Sequence, residues 1–155
     1  MKKYCIDTSS FIDAGERYYP PDVFPGFWEN IEGLISSGRL RAPDTLLDEL
    51  KKKDDAWREW VYQREAKLII KVDGAILALI PNVLAIYRSE GVSTDNITGD
   101  PFFIATAKVH DLTLITSEKQ RQGGAKIPAI CSKFKVKTTG LVEMLREEGW
   151  KFGAI

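Results

Sequence analysis

The chain has 155 residues, 44% of them hydrophobic and 28% charged, and its 22 Lys+Arg balance its 22 Asp+Glu. Zero net charge excludes a globally basic nucleic-acid coat protein, and ordinary Gly and Pro contents exclude a disordered chain. The length suits one domain of ~100–150 residues, which buries about two thirds of its unfolded surface without a disulfide or zinc staple.

The elements follow in chain order. Lys3-Tyr4-Cys5-Ile6 is a short apolar run that stops at Asp7 and reads as a buried strand. Thr8, Ser9 and Ser10 offer helix caps before Phe11-Ile12. Trp28, Ile31, Leu34 and Ile35 recur at helical spacing, and Gly38 ends that helix. Leu40 to Pro43 reads as a very short strand. A helix follows from Asp44 to Lys53, with Thr45 and Asp48 fitting a capping box, and another carries Trp57, Trp60 and Val61. Ala75 to Tyr87 is apolar nearly all round and predicts a buried helix, bent or split at Pro81. It is too short for the ~20 residues of a membrane span. Asp100-Pro101 opens a helix with Asp as its cap. Leu112 to Thr116 is a strand, Val136 sits in a last short strand, and Leu141 to Glu148 form a last helix. Short strands separated by longer helices predict an α/β fold with a mostly parallel sheet. Cys5 and Cys131 form no zinc-type cluster and no C-x-x-C, which fits free thiols in a soluble, cytoplasmic protein.

Acids stand at telling places. Asp7 ends one strand, and Glu118 lies just past the end of another. Ligands in open parallel sheets bind at the carboxyl ends of strands, so both would aim at one crevice. The plainer reading makes Asp7 a helix cap and Glu118 a solvated loop acid. On the 45–51 helix, Leu46, Leu47 and Leu50 form the apolar stripe, Glu49 lies on its flank and Asp48 points to solvent. Glu49 is thus the acid able to reach a crevice beside the core, although an exposed helix glutamate is the common case. Asp100 is explained by capping alone, yet a cap can also offer an oxygen to a metal. Converging carboxylates at ~4 Å repel by about 4 kcal/mol per pair at an effective dielectric near 20. Such a cluster protonates or binds a cation, and all-oxygen ligands favour Mg²⁺ or Mn²⁺ over zinc. The single His110 is poorly placed as a general base and reads as structural or exposed. No Walker loop, G-x-S-x-G or H-E-x-x-H occurs. From Lys119 to Val142 there are six basic residues and no acid, namely Lys119, Arg121, Lys126, Lys133, Lys135 and Lys137. Cations beside an acidic centre suit a phosphodiester, and a solvated face is the alternative.

At these residues the chain resembles the PIN-domain nucleases. Ile6-Asp7-Thr8-Ser9-Ser10-Phe11 matches the family's first motif. Pro43 to Leu50, with Glu49, resembles the second. Asp100-Pro101-Phe102-Phe103-Ile104-Ala105-Thr106-Ala107 resembles the third, and Leu114-Ile115-Thr116-Ser117-Glu118 the fourth. The ordered set spans about three quarters of the chain. The tail from Ile127 to Cys131 looks like a PIN-like subgroup close to toxins of VapC type. The fourth acid is Glu118 where many members carry Asp.

The resemblance implies a three-layer α/β/α sandwich as a single domain over 1–155, with a helix-rich insertion at about 54–99. It implies one or two Mg²⁺ or Mn²⁺ ions held by Asp7, Glu49, Asp100 and Glu118, which are also the catalytic residues. Thr8, Ser9 and Thr116 would support them by hydrogen bonds, and Lys119, Arg121, Lys126, Lys133 and Lys135 would hold RNA. The expected activity is a metal-dependent endoribonuclease, the toxin of a toxin–antitoxin pair, with an RNA substrate, an antitoxin partner and a homodimer. The alternative is a catalytically inactive PIN-like binding module acting through protein or RNA contacts. A phosphatase using Asp7 as nucleophile would need a second Asp where Ser9 stands.

Overall fold

Tyr4, Cys5 and Ile6 are buried without a break, the pattern of a strand covered on both faces. They form β1 (Tyr4–Ile6), the centre of a five-stranded sheet with β2 (Leu40–Pro43), β3 (Ile69–Ile70), β4 (Thr113–Ile115) and β5 (Thr138–Thr139). The computed structural model describes residues 1–95, 99–117 and 127–153. The order is β3-β2-β1-β4-β5 and every pairing is parallel, with Tyr4 opposite Leu40 on one side and Thr113 on the other. The sheet grows outward from β1 to β3, then returns to the other side of β1 for β4. The carboxyl ends of β1 and β4 therefore flank the topological switch point, where such sheets open a crevice.

Helices cover both faces, as expected of the α/β/α sandwich. α7 (Asp100–His110) lies on β1, β2 and β4, with α6 (Gly74–Ser89) packed over it and α8 (Ile127–Phe134) against α6. α2 (Pro25–Ser36) and α5 (Glu65–Leu68) pack on β2. α9 (Leu141–Glu148) closes the chain beside β1, where the Tyr4 hydroxyl donates to Glu148 at 2.7 Å.

The first helix, α1 (Thr8–Ile12), runs into a π-helical stretch, Asp13–Tyr18. Phe11 anchors it. Its ring stands 6.0 Å from Trp28, 5.3 Å from Trp57 and 5.8 Å from Trp60, joining α1 to α2 and to α4 (Asp55–Tyr62). Gly15 is required by this packing, since a Cβ there would come within 2.5 Å of Trp57. Burying a Phe ring stabilises by roughly 1.5–3 kcal/mol, so the cluster fixes the turn that begins at Asp7.

Several expectations change. Val136 lies before β5, and Leu112 and Thr116 flank β4 without belonging to it. α6 is one helix through Pro81, and only one stripe of it is covered: Ile76, Val83 and Tyr87 are buried, while Leu77 is 52% exposed. It is an outer layer over α7, and the backbone bond that Pro81 omits belongs to exposed Leu77, whose carbonyl can turn to water. The Thr45–Asp48 capping box does not form. α3 (Thr45–Lys53) has Asp44 as its N-cap, with no capping hydrogen bond, and the Asp44 side chain instead accepts from the Val72 N–H at 3.4 Å. α7 is capped by Gly99, so Asp100 is its first residue, not its cap. No helix among the described residues is long and apolar enough to cross a membrane.

Candidate functional site

β1 turns directly into α1, and Asp7 occupies the joint. Its backbone is extended (φ −81°, ψ 165°), its N–H donates to the Ile115 carbonyl of β4 at 3.1 Å, and its carboxylate accepts the Ser10 N–H at 2.8 Å. Asp7 is thus a helix cap, but one only 4% exposed. Burial raises its pKa above the usual carboxylate range; hydrogen bonds from Thr116 and Ser10 oppose the rise, and the charge of Glu49 adds to it. Thr116, 1% exposed, stands just past the end of β4, so the two strands at the switch point supply the acid and its hydroxyl donor.

Glu49 comes from the second turn of α3, which packs on α1. It is half-buried, while Asp48 is exposed, as the helical wheel requires. The Thr8 hydroxyl donates to Glu49 Oε1 at 2.7 Å, so adjacent residues of one turn hold one acid and present another. Gly99 lies against the same carboxylate. A Cβ there would come within 2.9 Å of Glu49 Oε1 and 2.5 Å of Thr45 Cγ2. With glycine there, the chain enters α7 without displacing either side chain, and the next residue is half-buried Asp100.

Two buried groups register where Asp7 and Asp100 sit. The Cys131 thiol on α8 is pushed up to about 12, by burial first and then by the charges of Asp7 and Asp100. The Tyr87 hydroxyl on α6 is raised by burial first and then by Asp100. Asp7, Glu49 and the start of α7 therefore converge at the carboxyl side of the sheet. Cys5 and Cys131 are both buried and free, as expected.

Among the described residues, no ion pair engages Asp7 or Glu49. A buried carboxylate, a second acid within its field and no compensating base make a donor set that fits a hard divalent cation. Among the described residues, no group of three or more His, Cys, Asp or Glu side chains is placed to hold a metal ion. Glu118, Lys119, Arg121 and Lys126 lie outside the described residues.

The remaining expectations divide. Ser9 is half-buried and makes no side-chain hydrogen bond among those described; Ser10, one residue on, bonds Asp7 instead. Capping chemistry could have found it, because an N-cap carboxylate bonds the N–H two or three residues ahead. Gly99 was also missed, and its only trace in the sequence is a small residue before Asp100. Lys133 and Lys135 do not flank the acids. Lys133 is paired with Glu90 at 2.6 Å, and Lys135 lines a cleft with Lys3 and Lys137, which precede β1 and β5. The physical reason is helix direction: a helix joining parallel strands returns to their amino ends, so the last turn of α8 sits opposite Asp7. His110 is exposed at the end of α7.

The family described as "Domain of unknown function (DUF4411)" matches residues 4–152. No curated protein sequence is significantly similar to the chain. Among solved structures, VapBC2 from Rickettsia felis, bound to a DNA fragment from their promoter, is similar at TM-score 0.57 and 16% identity, covering 88% of this chain and 97% of that one. FitAcB from Neisseria gonorrhoeae is similar at TM-score 0.54 and 18% identity, covering 87% and 95%. At these identities the likeness is one of fold.

Proposed function

This chain belongs to the DUF4411 family, and we propose that it is a PIN-like, divalent-metal-dependent endoribonuclease, the toxin of a toxin–antitoxin pair. The observation that carries the reading is Asp7: buried at the switch point, raised in pKa, facing the charge of Glu49 and paired with no base among the described residues. The names of the two similar structures and the four ordered motifs support the same reading.

Asp7, Glu49 and Asp100 would hold one or two Mg²⁺ or Mn²⁺ ions, and Glu118 completes the set the motifs imply. Such an ion, when bound, supplies Lewis-acid charge to the scissile phosphate. The chain's own residues do the positioning. Thr116 and Ser10 fix the Asp7 carboxylate, and Thr8 fixes Glu49, in the manner of groups that orient metal ligands. The turn through Gly99 brings the start of α7 against Glu49. In hydrolysis a water oxygen forms the new bond to phosphorus and the bond to the leaving sugar oxygen breaks. RNA, an antitoxin and a second copy of the chain are the partners of this reading, in a cytoplasmic setting.

The test is Asp7→Asn and Asp100→Asn, assayed for Mn²⁺-dependent RNA cleavage with circular dichroism as a fold control. Loss of cleavage with an intact fold is expected. Retained metal-dependent activity in either variant refutes the assigned roles. That no three acids, His or Cys among the described residues are placed to hold a metal ion favours a second reading, a binding module without turnover. Mn²⁺ binding by the wild-type chain with no cleavage of any RNA selects it.

A further inference from the structure

The amino end of the sheet carries a second concave feature, a cleft of about 530 Å³. Its basic lining comes from three places far apart in the chain: Lys2 and Lys3 before β1, Lys108 and His110 at the end of α7, Lys135 and Lys137 between α8 and β5. Asp111 is the one acid in that lining among the described residues. In a chain whose charges balance at 22 each, this is a marked local excess. Lys2 is held by Glu147 at 2.7 Å, and Lys108 Nζ lies 5.9 Å from the ring centre of Phe134. Among the described residues, no ion pair engages Lys3, Lys135 or Lys137.

Helix electrostatics account for part of this, since cations are favoured at helix C-termini such as the ends of α7 and α8. They do not account for Lys3 and Lys137, which precede strands. The backbone adds a second observation. Asp111 (φ 53°) and Lys135 (φ 61°) are the non-glycine residues with positive φ among those described, and both line this cleft. Each closes a helix, with the Leu112 N–H donating to the Ala107 carbonyl at 2.8 Å and the Val136 N–H to the Cys131 carbonyl at 2.8 Å. Glycine is the unstrained choice at such a position. The chain carries a lysine there instead, on the rim of a basic cleft.

The ligand chemistry follows from the lining. Lysine ammonium groups suit phosphate oxygens as point charges. Among the described residues no aromatic side chain lines the cleft, so bases would be neither stacked nor read there. Met1 is the one exposed apolar side chain among the described lining residues, and Leu112 and Val136 are only 6% and 7% exposed, so the cleft offers a single apolar contact and not the packed apolar centre of a protein interface. The cleft and the acids lie at opposite ends of α7, 11 residues or about 16 Å long, so the cleft is separate from the candidate site.

We propose that this cleft is a sequence-independent exosite for the phosphate backbone of single-stranded RNA. It rests on the nuclease reading only for the choice of RNA as the polyanion. The experiment uses the full chain in EDTA, where metal-dependent cleavage is silent, and the fluorescence anisotropy of a labelled, mixed-sequence 30-nucleotide RNA. Lys3→Ala/Lys135→Ala/Lys137→Ala is expected to weaken binding about tenfold or more at 0.1 M salt and to reduce the salt slope by about 2. The corresponding triple arginine variant keeps the affinity. Lys135→Gly removes one charge while relieving the left-handed strain. It should melt at a higher temperature and still lose about 0.7 of slope, which guards against a triple variant that misfolds. Unchanged affinity and slope in the triple alanine and Lys135→Gly variants overturn the exosite. So does displacement of the RNA by an equal charge concentration of poly-glutamate, which would point to an acidic protein segment. Lysine-dependent binding without Mn²⁺-dependent cleavage defeats the nuclease reading alone. Cleavage with lysine-independent binding defeats the exosite alone.

Discussion

The two ends of the central sheet treat a buried carboxylate in opposite ways. At the amino end, Glu148 accepts two bonds from the Arg39 guanidinium, at 2.8 and 2.6 Å, and one from the Tyr4 hydroxyl at 2.7 Å. The Arg39 hydrogen bond is the largest cause that holds its pKa below the usual range. At the carboxyl end, Asp7 is buried among hydroxyls and a second acid, and its pKa is raised. Glu148 ties α9 to the loop before β2 and contributes stability. No base faces Asp7 among the described residues, a cost to the fold that the proposed cation would offset.

Replacing Asp7 should give the largest effect. Asp7→Asn keeps a capping oxygen for the Ser10 N–H, yet removes the ionisable group. RNA cleavage is expected to vanish while the metal-free protein melts at a higher temperature than wild type near neutral pH. The sign follows from the raised pKa: the native state holds its proton more tightly, so the group's contribution is intact below the usual carboxylate range and is lost as pH rises through the folded value. The difference in melting temperature should therefore close toward pH 4. A variant that melts lower than wild type at both pH values breaks the contrast.

Arg39→Ala comes next. It strands Glu148, whose side chain is 11% exposed, and should cost about 3 kcal/mol by urea unfolding. A loss below about 0.5 kcal/mol would rank the pair with ordinary surface bridges. Gly99→Ala should cost roughly 1–3 kcal/mol through overpacking against Thr45 and Glu49, and should weaken Mn²⁺ binding measured by calorimetry. Normal metal affinity in that variant would separate Gly99 from the site. The smallest effect is a slope. Because the Glu148 pKa is lowered, its contribution is present above the ordinary glutamate value and lost as pH falls through the folded one. Glu148→Gln should flatten the acid limb of the stability curve, and an unchanged limb would assign acid unfolding to other groups.

Much of the carboxyl end is legible from local chemistry. Asp7 stops an apolar run and stands three residues before Ser10, and the helical wheel separates Glu49 from Asp48. Both are properties of a few consecutive residues. Capping geometry makes Ser10 legible too, although Ser9 is the residue expected to support Asp7. The helix-rich segment over 54–99 supplies β3, an edge strand of two residues, Ile69 and Ile70, too short for any periodicity to register. Lys133 and Lys135 read as neighbours of Glu118 because they are close in sequence, yet α8 carries them to the far end.

Hydrophobic pattern and turn chemistry within a dozen residues set the parallel α/β class, the carboxyl end of β1, the place of β4 to within a residue at each end, and the side of α3 that faces the core. Tertiary packing alone sets β1 and β4 side by side, brings Glu49 to Thr8, and crowds Gly99 at the entry to α7 against Thr45 and Glu49. It also decided that lysines from both termini and the middle of the chain share one cleft. Those contacts join residues tens of positions apart, and no local pattern encodes which buried faces pack together once the sheet order reverses.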